Sequence, residues 1–510
     1  MTQTLVHMLR DSVSRAPDAE AVVLANRRTS YGQLWRDISA VAAFLRNNGL
    51  QPGDRVALLL KNSPEYVAAY YGTLAAGGVV VALNTMAKRK DLSNWLLHSE
   101  ASWLFAESRH PELEGTLSSV GSSLQTVLVG EEGEEERGTS SPWNWHALSE
   151  HGDGEPDLSS LREGQTAAII YTSGTTGRPK GVTLSHGNLA ANVRSILQYL
   201  NLGPTDRVLN VLPFYYSYGN SVLHTHLAVG GTLILENNLL YPHNVLTTLA
   251  RERATGFSGV PSTFAILLSR TSLENHDLSS LRYMTQAGGA MAPALIERLR
   301  RAVPHIRFFV MYGQTEATAR LAWLPPEMLD AKPGSIGIAI PGVRLELRDE
   351  RGRPVPTGET GEIWASGDNI MQGYWRDPEQ TRKVLQDGWL KTGDLAHCDE
   401  DGYFYIDGRS ADMIKTGAHR ISPKEIEEVI LEIEGVEEVA VVGVPDELLG
   451  QVVKAVVVPS PGAQIGIRQI RAHCWRHLAM YKVPKFIEFV GELPKTASGK
   501  VRRFLLAEQH

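Results

Sequence analysis

The sequence predicts an α/β fold in which helices cover largely parallel sheets, followed by a smaller α+β unit. Helix-type and strand-type patterns alternate through most of the chain, and the strand-type runs are short and apolar. Such alternation is typical of βα units, whose parallel strands are buried on both faces. The chain of 510 residues is also too long for one ordinary domain and long enough for two or three.

The first elements show this alternation. Ser30 opens a helix with a capping box, and apolar residues continue at helical spacing until Gly49. Residues 55–60 then form a short apolar strand. Ser63 caps a second helix, which has a proline in its first turn and is followed by a buried strand at residues 79–83.

A domain boundary is predicted near residues 407–409. Just before it, residues 399–406 have the pattern of a hairpin turn that leads into a strand. We therefore predict an N-terminal domain over residues 1–407 and a C-terminal domain over residues 408–510.

The smaller unit has its own pattern. Ser422 starts a helix with a second capping box, and Gly435 stops it. Two apolar strands follow, at residues 439–444 and 452–458. Together they make an α+β unit of about a hundred residues, which is a normal domain size.

The composition restricts the class of protein. Hydrophobic residues are 43% and charged residues 21% of the chain, as in globular proteins. A net charge of −7 argues against a general nucleic-acid binder. Two distant cysteines, Cys398 and Cys474, suit a reducing compartment and exclude a disulfide scaffold. An acidic run at residues 131–138 favours a solvated loop over a cation site.

The N-terminus lacks the order of a signal peptide, and no apolar run is long enough for a membrane span. We therefore expect a soluble cytoplasmic protein without a membrane span and without a nucleic-acid partner.

Residues 171–182 predict a phosphate-binding loop. They combine hydroxyl side chains, glycines and a lysine directly after an apolar run at residues 167–170. Glycines let backbone N–H groups turn inward as an anion nest, and lysine adds a positive charge. Lys180 is not followed by Ser or Thr, so the segment is not a Walker A loop. A solvated linker is disfavoured because linkers seldom follow a buried strand.

Four further segments carry suitable chemistry for a nucleotide. Residues 311–318 offer an aromatic ring, a hydroxyl and a carboxylate, suited to a base, a phosphate and Mg²⁺. Residues 391–394 place a carboxylate at a strand-end turn, suited to a ribose diol. Residues 407–417 and 494–501 add basic side chains. Each segment alone has an ordinary structural interpretation, such as a turn, surface charge or a frayed tail.

Together, the order and spacing of these segments resemble the adenylate-forming superfamily, which contains acyl-CoA synthetases, firefly luciferases and peptide-synthetase adenylation domains. The likeness covers essentially the whole chain. It is most specific at residues 171–182, similar to the family's phosphate loop, and at residues 407–427, similar to its hinge and following loop. The resemblance implies ATP, Mg²⁺ and a carboxylic acid. It also implies a large N-terminal domain of sheets and a small barrel, with a small mobile C-terminal lid.

The resemblance implies a two-step reaction, in which the acid forms an acyl-adenylate with release of pyrophosphate and a thiol then displaces AMP. The residues implied to bind the nucleotide are Thr172, Ser173, Gly174, Thr175, Thr176, Gly177, Lys180, Gly289, Tyr312, Gly313, Thr315, Asp394, Arg409 and Lys500. Thr172, Glu316, Lys415 and Lys500 are implied to be catalytic.

Individual roles follow from the same resemblance. The hydroxyls of the phosphate loop and its lysine grip the β- and γ-phosphates. Tyr312 stacks on adenine, Thr315 contacts the α-phosphate and Glu316 holds Mg²⁺. Asp394 and Arg409 bind the ribose hydroxyls.

The lid is implied to act twice. It first delivers Lys500 to bridge the carboxylate and phosphate oxygens, and then rotates so that residues 415–420 line a tunnel for the thiol. The family usually has Asp or Lys two residues after the hinge arginine, where this chain has Ala411. The pivot is therefore expected at a neighbouring residue.

Two segments correspond to the walls of the acyl pocket. Tyr216 and Tyr218 would give an aromatic wall for an apolar acyl or aryl group, and Tyr216 stands where many relatives have His. The alternative is that these tyrosines belong to the ordinary aromatic core of the protein. The small residues Gly288, Gly289 and Ala290 would leave room along the other wall.

Two other patterns in this region concern an amino-acid substrate and a metal ion. No acid between residues 207 and 276 stands where amino-acid-activating relatives pair the α-ammonium, which argues against an amino-acid substrate. His224 and His226 resemble a metal pair but have no further ligands nearby in sequence.

The leading hypothesis is a ligase that makes acyl-CoA from an apolar acyl or aryl acid. An alternative is a freestanding enzyme that loads an acyl-carrier protein through its phosphopantetheine thiol. A third is a non-catalytic nucleotide-binding protein, against which the intact lysines, acids and arginine named above argue. Luciferase-type oxidation shares all these residues. Monomer and homodimer both remain open.

Overall fold

The computed structural model describes residues 3–130, 143–151, 154–172, 180–239, 241–409, 412–416, 419–446, 449–495 and 501–507. Several predicted features lie outside these residues: the acidic run at 131–138, Ser173, Gly174, Thr175, Thr176, Gly177, Ala411 and Lys500. For Lys415 and Arg420 the backbone is described, but not the side chain.

Sheet I is mostly parallel, with antiparallel strands at one edge. Numbered in chain order, its described strands run β19 (Gly373–Tyr374), β9 (Lys180–Ser185), β8 (Thr166–Thr172), β4 (Val79–Ala82), β3 (Arg55–Leu59), β5 (Ala101–Glu107), β6 (Gln125–Val129) and β7 (Trp143–Asn144). The pairs from β8 to β7 are parallel, whereas β9 pairs antiparallel with both β8 and β19.

Sheet II is also mostly parallel, with antiparallel strands at both edges. Its described strands run β16 (Ile338–Ala339), β15 (Ala322–Leu324), β14 (Arg307–Tyr312), β13 (Tyr283–Gln286), β12 (Gly256–Gly259), β10 (Arg207–Asn210), β11 (Thr232–Leu235), β1 (Glu20–Leu24) and β2 (Arg27–Ser30). Parallel pairing runs from β14 to β1, and the strands beyond them are antiparallel.

Sheets III and IV are smaller. Sheet III is antiparallel and contains β17 (Val343–Arg348), β18 (Gly361–Gly367), β21 (Trp389–Cys398), β20 (Leu385–Gln386) and β22 (Phe404–Arg409). Sheet IV contains β24 (His419–Ile421), β23 (Ile414–Thr416), β26 (Gly450–Pro459), β25 (Val436–Asp446) and β27 (Phe486–Phe489). A large sheet-rich N-terminal part and a small α+β C-terminal part are thus confirmed.

Helices cover the sheets. The described α-helices are α1 (Leu5–Arg15), α2 (Tyr31–Asn47), α3 (Pro64–Ala75), α4 (Arg89–Ser99), α5 (Leu113–Val120), α6 (His186–Leu200), α7 (Ser217–Val229), α8 (Pro242–Arg251), α9 (Pro261–Arg270), α10 (Pro293–Ala302), α11 (Pro378–Val384), α12 (Pro423–Leu431), α13 (Ile467–His477) and α14 (Arg503–Ala507). In the described part of the chain, no helix is both long and apolar enough to cross a membrane.

The N-terminal helices begin where the sequence predicts. The Ser30 side chain accepts from the backbone N–H of Gln33 at the start of α2, and Ser63 does the same for Tyr66 at the start of α3. The capping box predicted at Ser30 is only half formed, because the Gln33 side chain pairs with Asp37 and Arg36 instead. The two helices pack closely at Gly72, where a Cβ atom would lie 2.6 Å from Val41. A large apolar core that includes both helices lies between sheets I and II.

The capping box predicted at Ser422 is wrong. α12 does begin at Pro423, but the Ser422 side chain makes no cap hydrogen bond. Its hydroxyl donates instead to the Asp407 carbonyl, and Glu425 pairs with Lys482. Contacts with neighbouring elements have therefore displaced the local cap. The hairpin predicted at residues 399–406 is confirmed as the β21–β22 turn.

Candidate active site

The carboxyl ends of the parallel strands in sheet II lie along one edge. β10 ends at residue 210, β12 at residue 259, β13 at residue 286 and β14 at residue 312, and all four ends lie at this edge. Open parallel sheets bind ligands at this end, where the connecting segments leave a crevice. Both the predicted acyl-pocket segments and the Tyr312–Glu316 segment follow these strands, so the fold brings them to the same edge.

Three residues predicted to bind the nucleoside contact one another. The Tyr312 hydroxyl donates to Asp394 Oδ2 at 2.6 Å, and Arg409 Nε donates to Asp394 Oδ1 at 2.9 Å. Tyr312 ends β14 of sheet II, whereas Asp394 and Arg409 are register partners on β21 and β22. These hydrogen bonds connect sheets II and III and fix the orientation of the Tyr312 ring.

The protonation states of this cluster follow from its surroundings. The Asp394 side chain is only 7% exposed. Burial, with the Asp394 charge as a further cause, raises the pKa of Tyr312 well above its usual value, so the phenol stays a neutral donor. The Asp394 charge also raises the pKa of Arg409. A carboxylate has about four acceptor positions, so Asp394 can still accept hydrogen bonds from a diol.

The predicted strand-end turn at residues 391–394 is wrong, because the segment lies inside β21. Gly393 has φ +76°, a conformation that favours glycine, and the pairing of β18 with β21 shifts register beside it. A bulge of this kind redirects the following side chain. Asp394 is that residue, and it faces Tyr312.

A second cluster surrounds Glu316. The Tyr374 hydroxyl donates to Glu316 Oε1 at 2.8 Å. Lys180 Nζ lies 5.0 Å from the centroid of the same tyrosine ring. Burial raises the pKa of Tyr374, with Glu316 as a second cause, so this hydroxyl remains a donor. Tyr374 of sheet I therefore connects the predicted metal ligand with the predicted phosphate-binding lysine.

The turn that carries Thr315 is tightly built. Gly313 cannot be replaced without movement, because a Cβ there would lie 2.1 Å from the Ala319 carbonyl oxygen. The Thr315 hydroxyl lies 3.2 Å from that of Ser217, the first residue of α7. The predicted α-phosphate contact and the start of the predicted acyl segment are thus neighbours.

The two ends of the phosphate loop are paired. Thr172 and Lys180 are opposite each other in the antiparallel register of β8 and β9. The intervening predicted residues 173–177 lie outside the described part of the chain. Since β8 is parallel to β4, Thr172 stands at a carboxyl end in sheet I, the same kind of position as Tyr312 in sheet II.

Tyr216 and Tyr218 differ in their surroundings. Tyr216 is partly exposed just before α7, with its ring centroid 4.6 Å from that of Tyr215. Tyr218 is buried, and its hydroxyl donates to the Thr285 carbonyl at 2.9 Å. The Arg320 guanidinium lies over the Tyr218 ring, 4.2 Å from the centroid. Tyr218 thus belongs to the polar layer beneath the edge, whereas Tyr216 lies at its surface.

The second predicted acyl wall is open. Gly288, Gly289 and Ala290 are all exposed. The Gln286 side chain donates to the Gly289 carbonyl at 2.6 Å and so shapes this turn. A Cβ at Gly289 would meet Pro261 at an ordinary 3.5 Å.

His224 and His226 are core residues. The Tyr71 hydroxyl lies 2.9 Å from His224 Nδ1, and the Tyr283 hydroxyl lies 2.8 Å from His226 Nε2. Burial lowers the pKa of His224 to about 3 and that of His226 to about 4. Both imidazoles are therefore neutral hydrogen-bonding groups at neutral pH.

The sequence missed two residues of the site, Tyr374 and Ser217. Tyr374 reaches Glu316 because β19 pairs with β9, a contact between residues far apart in the chain. Its only sequence signal is a glycine followed by an aromatic residue, which is common. Ser217 lies between Tyr216 and Tyr218, the two tyrosines that the sequence did select.

In the C-terminal part, Lys415 and Arg420 are register partners in the β23–β24 hairpin. Beyond the predicted hinge, α12 contacts β22, since Lys424 Nζ donates to the Ile406 carbonyl at 3.0 Å. The position of Lys500 relative to the clusters above stays a prediction.

Comparison with known families adds an independent result. Residues 9–375 match the family described as AMP-binding enzyme, and residues 425–500 match the AMP-binding enzyme C-terminal domain. The feruloyl-CoA synthase of Amycolatopsis sp is 38% identical over 488 residues, covering 95% of each chain. The long-chain-fatty-acid–CoA ligase of Bacillus subtilis (strain 168) is 34% identical, covering 99% of this chain and 95% of the relative.

Solved structures are similar over nearly the whole length. An anthranilate CoA ligase in complex with anthranoyl-AMP has a TM-score of 0.89 and 28% identity, covering 99% of this chain and 96% of that chain. The ATP-bound MatB of Rhodopseudomonas palustris has a TM-score of 0.89 and 32% identity, covering 100% and 99%.

Proposed function

The chain belongs to the AMP-binding enzyme family of adenylate-forming acid–thiol ligases, and we propose that its acid is an aryl or other apolar carboxylic acid. An enzyme of this type activates a carboxylic acid with ATP and then transfers the acyl group to CoA. In the first step a carboxylate oxygen attacks the α-phosphorus, and the bond to the β-phosphate oxygen breaks to release pyrophosphate. In the second the CoA thiolate attacks the acyl carbon and AMP leaves.

One observation carries the choice of acid. The two predicted acyl segments, residues 213–220 and 286–291, contain no charged residue, and neither do residues 257–261 at the end of β12, the strand that lies between β10 and β13. Taking a charged group from water into such surroundings without a partner costs several kcal/mol or more. An acid with an ammonium or a second carboxylate is therefore disfavoured, and a neutral ring or chain fits. The feruloyl-CoA and anthranilate-CoA enzymes among the similar proteins agree with this choice.

We assign the nucleoside to the Tyr312–Asp394–Arg409 cluster. The Tyr312 ring, held by its hydroxyl, would stack on adenine, while Asp394 accepts from the ribose hydroxyls beside Arg409. The hydrogen bonds measured between these residues support the assignment. Gly313 would let the backbone approach the base closely.

The phosphates are assigned to the adjoining cluster. Thr315 would contact the α-phosphate, and Thr172 and Lys180 the outer phosphates, together with Ser173, Gly174, Thr175, Thr176 and Gly177. The Glu316 carboxylate, beside the hydroxyl of Tyr374, offers the hard oxygen ligands that Mg²⁺ takes, and Glu316 would hold that ion. When bound, Mg²⁺ neutralises charge on the phosphates.

The acid would lie between these clusters and the acyl edge. Ser217 next to Thr315 supports this placement, because it brings Tyr216 close to the α-phosphate position. Gly288, Gly289 and Ala290 would line the opposite side, and Gly289 would also border the nucleotide. Tyr218, which is buried, would support this wall from beneath.

We propose that residues 408–510 form the mobile lid and residues 1–407 the body. Lys500 would bridge the carboxylate and α-phosphate oxygens in the first step, and Lys415 would line the thiol path in the second. Family membership supports this division, as does sheet IV, whose described strands pair only with one another. ATP and CoA are cytoplasmic metabolites, so we place the reaction in the cytoplasm.

Pyrophosphate release with a panel of acids tests the proposal. Purified enzyme with ATP, Mg²⁺ and CoA is given benzoic, phenylpropenoic, long-chain saturated, dicarboxylic and α-amino acids at equal concentrations. We expect the highest kcat/KM for an aryl or long-chain acid, at least about 100-fold above any acid with a second charge, equivalent to about 3 kcal/mol. Preference for a dicarboxylic or amino acid would overturn the proposed acid.

The thiol acceptor is tested in the same assay. CoA and a set of phosphopantetheinylated carrier proteins are offered separately with the preferred acid, and the thioester is measured by mass. A thioester with CoA supports the ligase assignment. A thioester on a carrier protein alone would contradict it.

A further inference from the structure

Two imidazoles and a carboxylate meet in the C-terminal part, away from the clusters described above. His473 and His477 lie in the last turns of α13, and Glu432 follows directly after α12. The potential ligand atoms of the three side chains all lie within 4.8 Å of one another. His473 Nε2 is 3.2 Å from Glu432 Oε2, and the two imidazole centroids are 4.5 Å apart.

The helix explains why the imidazoles meet. Residues four apart lie on the same face of an α-helix, one turn above the other. Cys474, between them, is fully buried in the core of the C-terminal part. The thiol therefore points away from the cluster, and the available ligands are two nitrogens and one oxygen.

We propose that Glu432, His473 and His477 form a binding site for a divalent transition metal ion of the zinc class. Zinc bonds of about 2.0–2.1 Å to nitrogen and oxygen place tetrahedral ligands about 3.3–3.4 Å apart. The 3.2 Å separation of His473 and Glu432 already matches this spacing. His477 and Glu432 are exposed, so their side chains can rotate to close the third edge. Water would complete the coordination.

The two helix ends and the ligand types favour such an ion. The carboxyl ends of two helices meet at the cluster, and their partial negative charge attracts a cation. Imidazole nitrogen suits zinc, nickel, cobalt and copper, whereas Mg²⁺ prefers oxygen ligands. The site is therefore chemically distinct from the magnesium position assigned to Glu316, and it does not depend on the proposed acid.

An ion held there would connect α12 to α13. These helices belong to the same core cluster, through Ile426 and Ile430 of α12 and Ile470 of α13. A ligand that binds only the folded form raises stability by mass action. We therefore expect zinc to stabilise the C-terminal part against thermal unfolding.

The test uses the full-length enzyme without a histidine tag, stripped with a chelator and dialysed. Zn²⁺ is titrated by calorimetry, and Co²⁺ is titrated by its visible absorption, which reports tetrahedral coordination. Because three protein ligands should hold zinc less tightly than the four of a structural zinc site, we expect one ion per chain with a Kd on the order of micromolar. Absence of saturable binding would overturn the proposal.

Variants identify the ligands. His473→Ala and His477→Ala should each weaken Zn²⁺ binding at least about 100-fold, and Glu432→Gln about 10-fold or more. His243→Ala is the matched control, because His243 also lies beside a second imidazole, His276, at 4.9 Å between centroids. It should bind Zn²⁺ as the unmodified enzyme does. Circular dichroism confirms that each variant is folded.

The outcomes are distinct. Unchanged Zn²⁺ affinity in both His473→Ala and His477→Ala would overturn the proposed site. Unchanged Zn²⁺ affinity in Glu432→Gln would overturn the assignment of three ligands. Loss of binding in Glu316→Gln, with His473→Ala unaffected, would place the ion at the catalytic centre instead.

Discussion

The proposed nucleotide side and the proposed acyl side of the crevice are built in different ways. On the nucleotide side, Tyr312, Asp394 and Arg409 are held by hydrogen bonds of 2.6 and 2.9 Å that join two sheets. On the acyl side, Gly288 and Ala290 are exposed small residues and Tyr216 is partly exposed. We therefore propose that recognition of ATP rests on fixed polar atoms and that recognition of the acid rests on the shape of an uncharged wall.

This difference separates two kinds of change. Removing a polar atom from the nucleotide side leaves a buried partner unsatisfied, which costs more than the lost hydrogen bond itself. Changing the size of an apolar wall costs less per atom and changes which acid fits. The two sides should thus respond separately to mutation.

The largest effect is expected at the lysine that we propose to bridge the carboxylate and α-phosphate oxygens. Lys500→Ala should lower acid-dependent pyrophosphate release by about 10²–10³-fold or more, because it removes a cation from the developing charge. Thioester formation from supplied acyl-adenylate and CoA should persist. Lys495→Ala is the control, because Lys495 forms an ion pair with Glu438 at 2.5 Å. Pyrophosphate release at an unmodified rate in Lys500→Ala would disprove the role.

Asp394→Asn should raise the KM for ATP by about 10–100-fold, equivalent to about 1.5–3 kcal/mol for a charge-assisted hydrogen bond. The order of preferred acids should not change, because Asp394 lies on the nucleotide side. Initial rates at varied ATP measure the effect. Asp349→Asn is the control. It disrupts the ion pair of Asp349 with Arg353 just after β17, at the edge of sheet III, and should leave the KM for ATP unaltered.

Tyr216→Ala should change the order of acids by about 10-fold, since removing an aromatic wall admits bulkier groups and weakens contact with small ones. The KM for ATP should stay within about twofold. Tyr216→Phe keeps the ring and should keep the order of acids. An unchanged order in Tyr216→Ala would show that the ring does not line the pocket.

Tyr374→Phe should have the smallest effect. Loss of the hydroxyl bond to Glu316 should raise the Mg²⁺ concentration for half-maximal rate by about 5-fold, equivalent to about 1 kcal/mol. The readout is the Mg²⁺ dependence of pyrophosphate release, which a purely structural role would not change. Tyr405→Phe, which removes a hydroxyl contact with Asp399, is the control. An identical Mg²⁺ dependence in Tyr374→Phe would show that the tyrosine does not position Glu316.

Local patterns predicted the features that depend on local chemistry. The caps at Ser30 and Ser63 and the alternation of helices and strands were identified from the sequence. Asp394 and Tyr312, both selected from the sequence, form a hydrogen bond in the structure, and their role in binding the nucleoside stays a prediction. The bulge at Gly393 was not, because the segment that carries it also fits a turn. The true partner of Ser422 was not predictable because the contact lies between elements.

Tyr374 shows the limit most clearly. Its place beside Glu316 depends on the pairing of β19 with β9, nearly two hundred positions apart in the chain. Nothing in a local pattern specifies such a pairing. The acyl edge is equally hard to predict from local patterns, because its residues follow the ends of several different strands.

The contrast between the two sides can be tested in one crossed experiment. The KM for ATP and the kcat/KM for each acid of the panel are measured in Asp394→Asn and in Tyr216→Ala. The account predicts a raised KM for ATP with an unchanged order of acids in the first, and an altered order of acids with a nearly unchanged KM for ATP in the second. If Asp394→Asn reorders the acids, or if Tyr216→Ala changes only the KM for ATP, the division into nucleotide and acyl sides is wrong.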